Sequence, residues 1–175
     1  MQVYLAHGAS GGVETIKPWI EALTARGLDA TAVAVPRGTA ERAVPAYLAA
    51  LASTKPAETI IGGHSFGGRV ASMIAADLAV AGLVLLSYPL HRPGRPDQPR
   101  NEHWPRIRSA TLVLSGESDP FARIELLRAS VKSLDNAKLI TYPGVGHGLK
   151  PVLEDASNRI ADFVARVARR ERLSE

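Results

Sequence analysis

The chain has 175 residues, 46% apolar and 22% charged, which is enough for one soluble globular domain with a sizeable core and holds no apolar run near the ~20 residues that span a bilayer. The net charge of +4 is scattered, with concentrations only at 92–108 and at Arg166, Arg169, Arg170 and Arg172, so no basic stripe marks a nucleic-acid binder. Cysteine is absent, which excludes disulfides, thiolate metal sites and a cysteine nucleophile together.

Residues 3–6 form the first predicted strand and lead into the glycine-rich turn His7-Gly8-Ala9-Ser10-Gly11-Gly12. Residues 15–26 predict a helix, with Ile16, Trp19, Ile20 and Leu23 at helical spacing and Gly27 as its stop. Residues 31–35 read as a strand closed by Pro36, and 39–52 as a second helix, with Pro45 at a turn start or kink. A strand at 59–63 runs into a second glycine-rich turn, followed by a helix at 69–78 and a buried-type strand at 83–86. The stretch 88–109 carries Pro89, Pro93, Pro96, Pro99 and Pro105, which rules out a regular helix; so long an irregular excursion is functional or mobile. Residues 111–115 and 138–142 are the last strands. Helices are predicted at 121–134 and 152–167, the latter with Ile160, Phe163, Val164 and Val167 on one face. This alternation predicts a single α/β domain over 1–175, with about six parallel strands covered by helices on both faces.

The turn Gly63-His64-Ser65-Phe66-Gly67 fits G-x-S-x-G. A strand that reverses sharply into a helix strains the serine backbone, and side chains two positions either side would collide. The serine hydroxyl then sits at a helix N-terminus, where the dipole favours developing negative charge. The pentapeptide alone could be a phosphate-holding turn, but it is not G-x-G-x-x-G and no Walker lysine follows. A strand before it and a helix after it point to Ser65 as a nucleophile.

A serine hydroxyl needs a base, and the order expected after such a turn is acid, then histidine. His147 follows the last strand between glycines and is the candidate base. Asp119, in Gly116-Glu117-Ser118-Asp119-Pro120, follows the preceding strand and is the candidate acid, with Glu117 in reserve. Asp before Pro is also a common helix cap, so strand-end position and chain order carry the choice. His64 should point away from Ser65, and His7 comes too early to be the base. The oxyanion of acyl transfer needs two preorganised N–H donors. Phe66 N–H is one, and Ala9 N–H the other, with Ser10 N–H as runner-up.

His7-Gly8-Ala9-Ser10-Gly11, Gly63-His64-Ser65-Phe66-Gly67-Gly68-Arg69, Ser118-Asp119-Pro120 and Gly146-His147 together resemble the α/β-hydrolase superfamily. Leu86-Ser87-Tyr88-Pro89-Leu90-His91 further resembles its small, lidless dienelactone-hydrolase-like subfamily, which includes testis-expressed and chromatin-complex relatives. The resemblance implies a core lacking the first two strands of the full fold, no metal, no cofactor, and no helical lid, with 88–109 in the usual lid position. The chain departs from true dienelactone hydrolases in having Ser65 where they use cysteine.

These readings lead to a serine hydrolase that cleaves a small carboxylic ester or thioester through an acyl-serine, with Ser65, Asp119 and His147 catalytic and Ala9 and Phe66 holding the oxyanion. Ser10, Tyr88, Leu90, Phe121 and Leu149, just beyond strand ends, are expected to meet substrate; His91 and His103 could also touch it. Arg92, Arg95 and Arg100 could attract an anion but read better as a solvated basic loop. The competing class is a non-catalytic binding or scaffold protein that uses this arginine-rich loop. The expected partner is a small molecule, with no nucleic acid and no membrane, and the chain a monomer or homodimer. Without an export-type leader, a cytoplasmic location is the default.

Overall fold

A computed structural model describes residues 1–174, with side chains through 170; the Arg172 side chain lies outside the described residues. Six strands, β1 (Gln2–Ala6), β2 (Asp29–Val33), β3 (Thr59–His64), β4 (Gly82–Leu86), β5 (Ala110–Gly116) and β6 (Ala137–Tyr142), form one sheet in the order β2-β1-β3-β4-β5-β6. Every adjacent pair is parallel. The α-helices are α1 (Val13–Thr24), α2 (Ala40–Ala50), α3 (Phe66–Asp77), α4 (Ile124–Val131) and α5 (Leu153–Ser174).

Strand alternation divides the core in two. Tyr4, Ala6, Leu83 and Leu85 face α2, α3 and α4, packing with Tyr47, Val70, Ile74 and Leu127. Val3, Leu5, Val84 and Leu86 face α1 and α5, packing with Trp19, Leu23, Ile160 and Phe163. The inner strand β4 is buried throughout, whereas the edge strands β2 and β6 are partly exposed. Tyr47 ties α2 to the sheet: its hydroxyl lies 2.7 Å from Tyr4 O and 2.8 Å from Gly62 O, and accepts Gly62 N–H at 3.0 Å.

The elements match the sequence reading in kind and order but differ at their ends. Pro45 lies inside α2, and Pro18 inside α1. Each ring removes one intrahelical bond, while buried Ala43 and Tyr47, and Ile16 and Trp19, hold those helices to the sheet. α3 begins at Phe66 rather than 69, taking two glycines of low helix propensity into its first turn. α4 begins at Ile124 rather than 121, because residues 119–123 form a turn around the Asp119 carboxylate, which accepts Phe121 N–H at 2.8 Å.

Between β4 and β5 the described chain contains no α-helix, only a single 3-10 turn at Trp104–Arg106. Its base is closed by Arg100 N–H donating to Leu90 O at 2.7 Å and Tyr88 Oη donating to Arg100 O at 2.6 Å. Tyr88, Leu90, Trp104 and Ile107 are core residues, whereas most of 92–100 is exposed.

Candidate active site

The chain passes from β1 to β2 on one side, then to β3 on the other. The crevice at the carboxyl ends of β1 and β3 is therefore a topological switch point, where open α/β sheets bind ligands. Ala6 pairs with Gly63 in register, which sets the turn after β1 beside the turn after β3.

Ser65 occupies the junction of β3 and α3 with φ 51° and ψ −115°, a left-handed conformation rare for a side-chain-bearing residue. Its N–H bonds Leu86 O at 2.8 Å, which fastens the turn to the neighbouring strand. A Cβ on Gly63 would lie 2.5 Å from Ala6 O and 2.7 Å from Gly67 C; one on Gly67 would lie 2.5 Å from Ala6 O. Backbone blocks both positions, which is the collision expected from the motif. A serine preceding a helix ordinarily caps it, yet Ser65 makes no side-chain cap. Its hydroxyl bonds His147 Nε2 at 2.8 Å instead.

His147 Nδ1 lies 2.8 Å from Asp119 Oδ2 and 3.0 Å from Oδ1. A carboxylate only accepts, so Nδ1 carries the hydrogen and Nε2 is free to accept from Ser65. The Asp119 side chain has no solvent exposure, while that of His147 is 23% exposed. Glu117 is turned elsewhere, accepting from Thr141 Oγ1 at 2.7 Å and Arg128 at 2.8 Å.

Two further histidines brace this arrangement. His64 points away from Ser65 and its Nε2–H donates to His147 O at 3.0 Å. Burial first of all holds the His64 pKa below the usual imidazole value. In the turn after β1, His7 Nδ1–H donates to Gly8 O at 2.8 Å and its Nε2 accepts Val35 N–H at 3.2 Å. Neither role was visible in the sequence, because both partners are backbone groups on distant loops. Gly116 was missed as well. A Cβ there would stand 2.1 Å from Val145 O and 2.5 Å from Gly146 O, so the His147 loop crosses directly over the end of β5.

The turn after β1 lies against the turn that holds Ser65: a Cβ on Gly8 would be 3.1 Å from His64 Nδ1 and 3.7 Å from Ser65 Cβ. Phe66 is the first residue of α3, so its N–H has no partner within the helix, and no bond to Ala9 N–H occurs among the described residues. Ser10 and Leu149 come together with Gly8, Trp19, His64 and Lys150 around a cleft of about 120 Å³. Phe121 packs on His147, with ring centroids 4.4 Å apart. Tyr88 and Leu90, expected at the pocket, are instead fully buried, the Tyr88 ring lying on Trp104 with centroids 4.8 Å apart. Burial pushes the Tyr88 phenol up to about 12. His103 is also drawn inward, bonding Ser72 Oγ at 2.8 Å. Among the described residues no cluster of three or more His, Cys, Asp or Glu could hold a metal ion, and no helix is long and apolar enough to cross a membrane.

A family model described as an alpha/beta hydrolase domain matches residues 34–171. Among solved structures, a monoacylglycerol lipase from Paleococcus ferrophilus superposes with a TM-score of 0.79 at 16% identity, covering 95% of this chain and 94% of that one. Est1E from Butyrivibrio proteoclasticus, bound to ferulic acid, gives 0.79 at 17% identity, covering 96% and 90%. A putative non-heme bromoperoxidase, BpoC, from Mycobacterium tuberculosis gives 0.82 at 14% identity, covering 95% and 93%. At these identities the structural likenesses carry the fold and nothing finer.

Proposed function

The chain belongs to the α/β-hydrolase family, and we propose that it is a serine hydrolase that cleaves a small carboxylic ester or thioester through an acyl-Ser65 intermediate. The observation that carries this reading is the unbroken hydrogen-bonded line from buried Asp119 through His147 to Ser65.

Ser65 Oγ attacks the substrate carbonyl carbon as its proton passes to His147 Nε2. Asp119 holds the imidazole in the tautomer that can accept that proton and stabilises the imidazolium that forms. The N–H groups of Phe66 and Ala9 receive the negative charge on the former carbonyl oxygen. Removing one such donor costs about 2.7–4 kcal/mol in comparable sites. As the tetrahedral intermediate collapses, the C–O or C–S bond breaks and His147 returns the proton to the departing alcohol or thiol. Water, deprotonated by the same imidazole, then attacks the acyl carbon, and as the C–Oγ bond breaks the imidazolium returns that proton to Ser65 Oγ and the carboxylic acid leaves. The cleft lined by Ser10, Trp19, Leu149 and Lys150 holds one end of the substrate. Its 120 Å³ is well below the ~300 Å³ at which drug-sized pockets begin, so the group it takes is compact.

A fluorophosphonate probe and nitrophenyl acetate and butyrate assays test the reading on wild type and Ser65→Ala. Labelling and turnover by wild type alone are expected. Folded wild type that neither labels nor turns over would return the chain to the non-catalytic binding class, with the arginine-rich loop as the surface to examine.

A further inference from the structure

We infer that His91 is a positioning residue, which clasps the proline-rich excursion onto the turn carrying Asp119 and so sets both the acid and the Phe121 ring against His147. The inference rests on the reading of Asp119, His147 and Ser65 as the catalytic line.

Both ring nitrogens and the backbone of His91 are engaged. Nδ1 faces Arg92 O at 2.8 Å, and because a carbonyl only accepts, Nδ1 carries the hydrogen. That leaves Nε2 bare, and it accepts Arg123 N–H at 2.9 Å. His91 N–H donates to Phe121 O, also at 2.9 Å. Two of the three bonds therefore land on the 121–123 turn. The side of the clasp that leads back to the core is itself held, since Arg100 N–H and Tyr88 Oη close the base of the excursion at Leu90 and Arg100. His91 is 3% exposed although residues 92–95 beside it are exposed, so the ring is packed inward from an outward loop.

The 121–123 turn touches the site twice. Phe121 N–H donates to Asp119 Oδ1 at 2.8 Å, and the Phe121 ring lies 4.4 Å from that of His147. Arg123 precedes the first residue of α4, so its N–H has no partner within that helix. His91 satisfies this donor and ties the start of α4 to the excursion. Without the imidazole the turn keeps the main-chain bond from His91 N–H to Phe121 O but loses its hold at Arg123, so residues 121–123 can shift about that remaining bond, moving one donor to the acid and one wall of the base.

Ester kinetics on wild type, His91→Leu, His91→Gln and Arg123→Pro test the clasp, with circular dichroism and thermal midpoints confirming folding. Imidazole ¹⁵N NMR on wild type reads the tautomer directly. Expected are a neutral His91 protonated at Nδ1, and a kcat lowered roughly tenfold or more in His91→Leu with KM within about twofold, since misplacement near 1 Å costs on the order of 10²-fold. The glutamine amide oxygen can stand where Nε2 accepts, so His91→Gln should recover most of the loss. Arg123→Pro removes the donor from the other side at a φ of −52°, which proline accepts, and should reproduce the loss even if His91→Leu fails to fold. An Nε2-protonated tautomer, full kcat in folded His91→Leu and Arg123→Pro, or no recovery in His91→Gln would overturn the inference. A wild type that never turns over is a different result: it removes the hydrolase reading, and this inference with it.

Discussion

At the scale of single residues, each of the five histidines has a distinct hydrogen-bonding task. His147 links Asp119 to Ser65, His64 holds the His147 carbonyl, His7 and His91 each accept a backbone N–H from a neighbouring loop, and His103 bonds Ser72. Only the first was legible in the sequence, because chain order and flanking glycines single out His147, whereas His7, His64 and His91 bond backbone groups that no residue type announces, and nothing local pairs His103 with Ser72. Asp119→Asn should lower kcat about 10⁴-fold with the fold intact, because an amide can turn its N–H₂ toward His147 and impose the wrong tautomer. Steady-state kinetics beside a thermal melt checks this; a loss under tenfold would mean that Asp119 serves the loop and not the imidazole. Ser65 itself holds a left-handed backbone worth of order 1–3 kcal/mol of strain, offset by the packing of the turn against Ala6.

At the scale of elements, the site depends on loops that leave the same edge of the sheet. Parallel register aligns Ala6 with Gly63, His64 with Leu86, Leu86 with Leu114, and Gly116 with Tyr142, so the turns after β1, β3, β4, β5 and β6 emerge together. The His147 loop rests on the end of β5 through Gly116, where the atoms nearest to an added side chain are backbone atoms of Val145 and Gly146. Gly116→Ala should therefore push Val145 and Gly146 aside, lowering kcat/KM on the order of 10²-fold, with about 1–3 kcal/mol of lost stability from overpacking. Kinetics and urea melts on the same preparation separate the two effects, and an unchanged kcat/KM would show that the loop can rise without moving His147. Helix starts were the least legible feature. Local propensity disfavours glycine at the start of α3, yet Gly67 is required there by the approach of Ala6 O to 2.5 Å of where its Cβ would be.

At the scale of the whole molecule, the buried histidines make stability depend on pH. Burial is the leading cause that holds the pKa of both His64 and His103 below the usual imidazole value. Between the unfolded and folded values the unfolded chain binds more protons, so stability rises with pH in that interval. The contribution is fully present above about pH 6.5 and is lost as pH falls from there through the folded values. Thermal midpoints measured from pH 7.5 to 5 should be level at first and then fall below about 6.5, and His64→Gln with His103→Gln should flatten the slope. A slope unchanged in that double variant would place the proton uptake elsewhere. The exposed carboxylates Glu14 and Glu41 and the half-exposed Asp155, whose pKa values are lowered chiefly by hydrogen bonds, act only at lower pH and should be weak because solvent screens them.

The sequence by itself determined the kind and order of the elements, because apolar runs and helical spacing are local signals that tertiary packing here reinforces. It also pointed to the turns that hold Ser65, Asp119 and His147, the first because a sharp strand-to-helix reversal imposes small residues on its own neighbours, the other two by strand-end position and chain order. Only the tertiary structure decided that Tyr88 and Leu90 belong to the core, that Gly116 underlies the His147 loop, and that His7, His64 and His91 brace loops far from them in the chain. The reason is physical. These contacts join backbone atoms of loops that the parallel register brings to one edge, and a backbone partner leaves no residue type in the sequence to announce it.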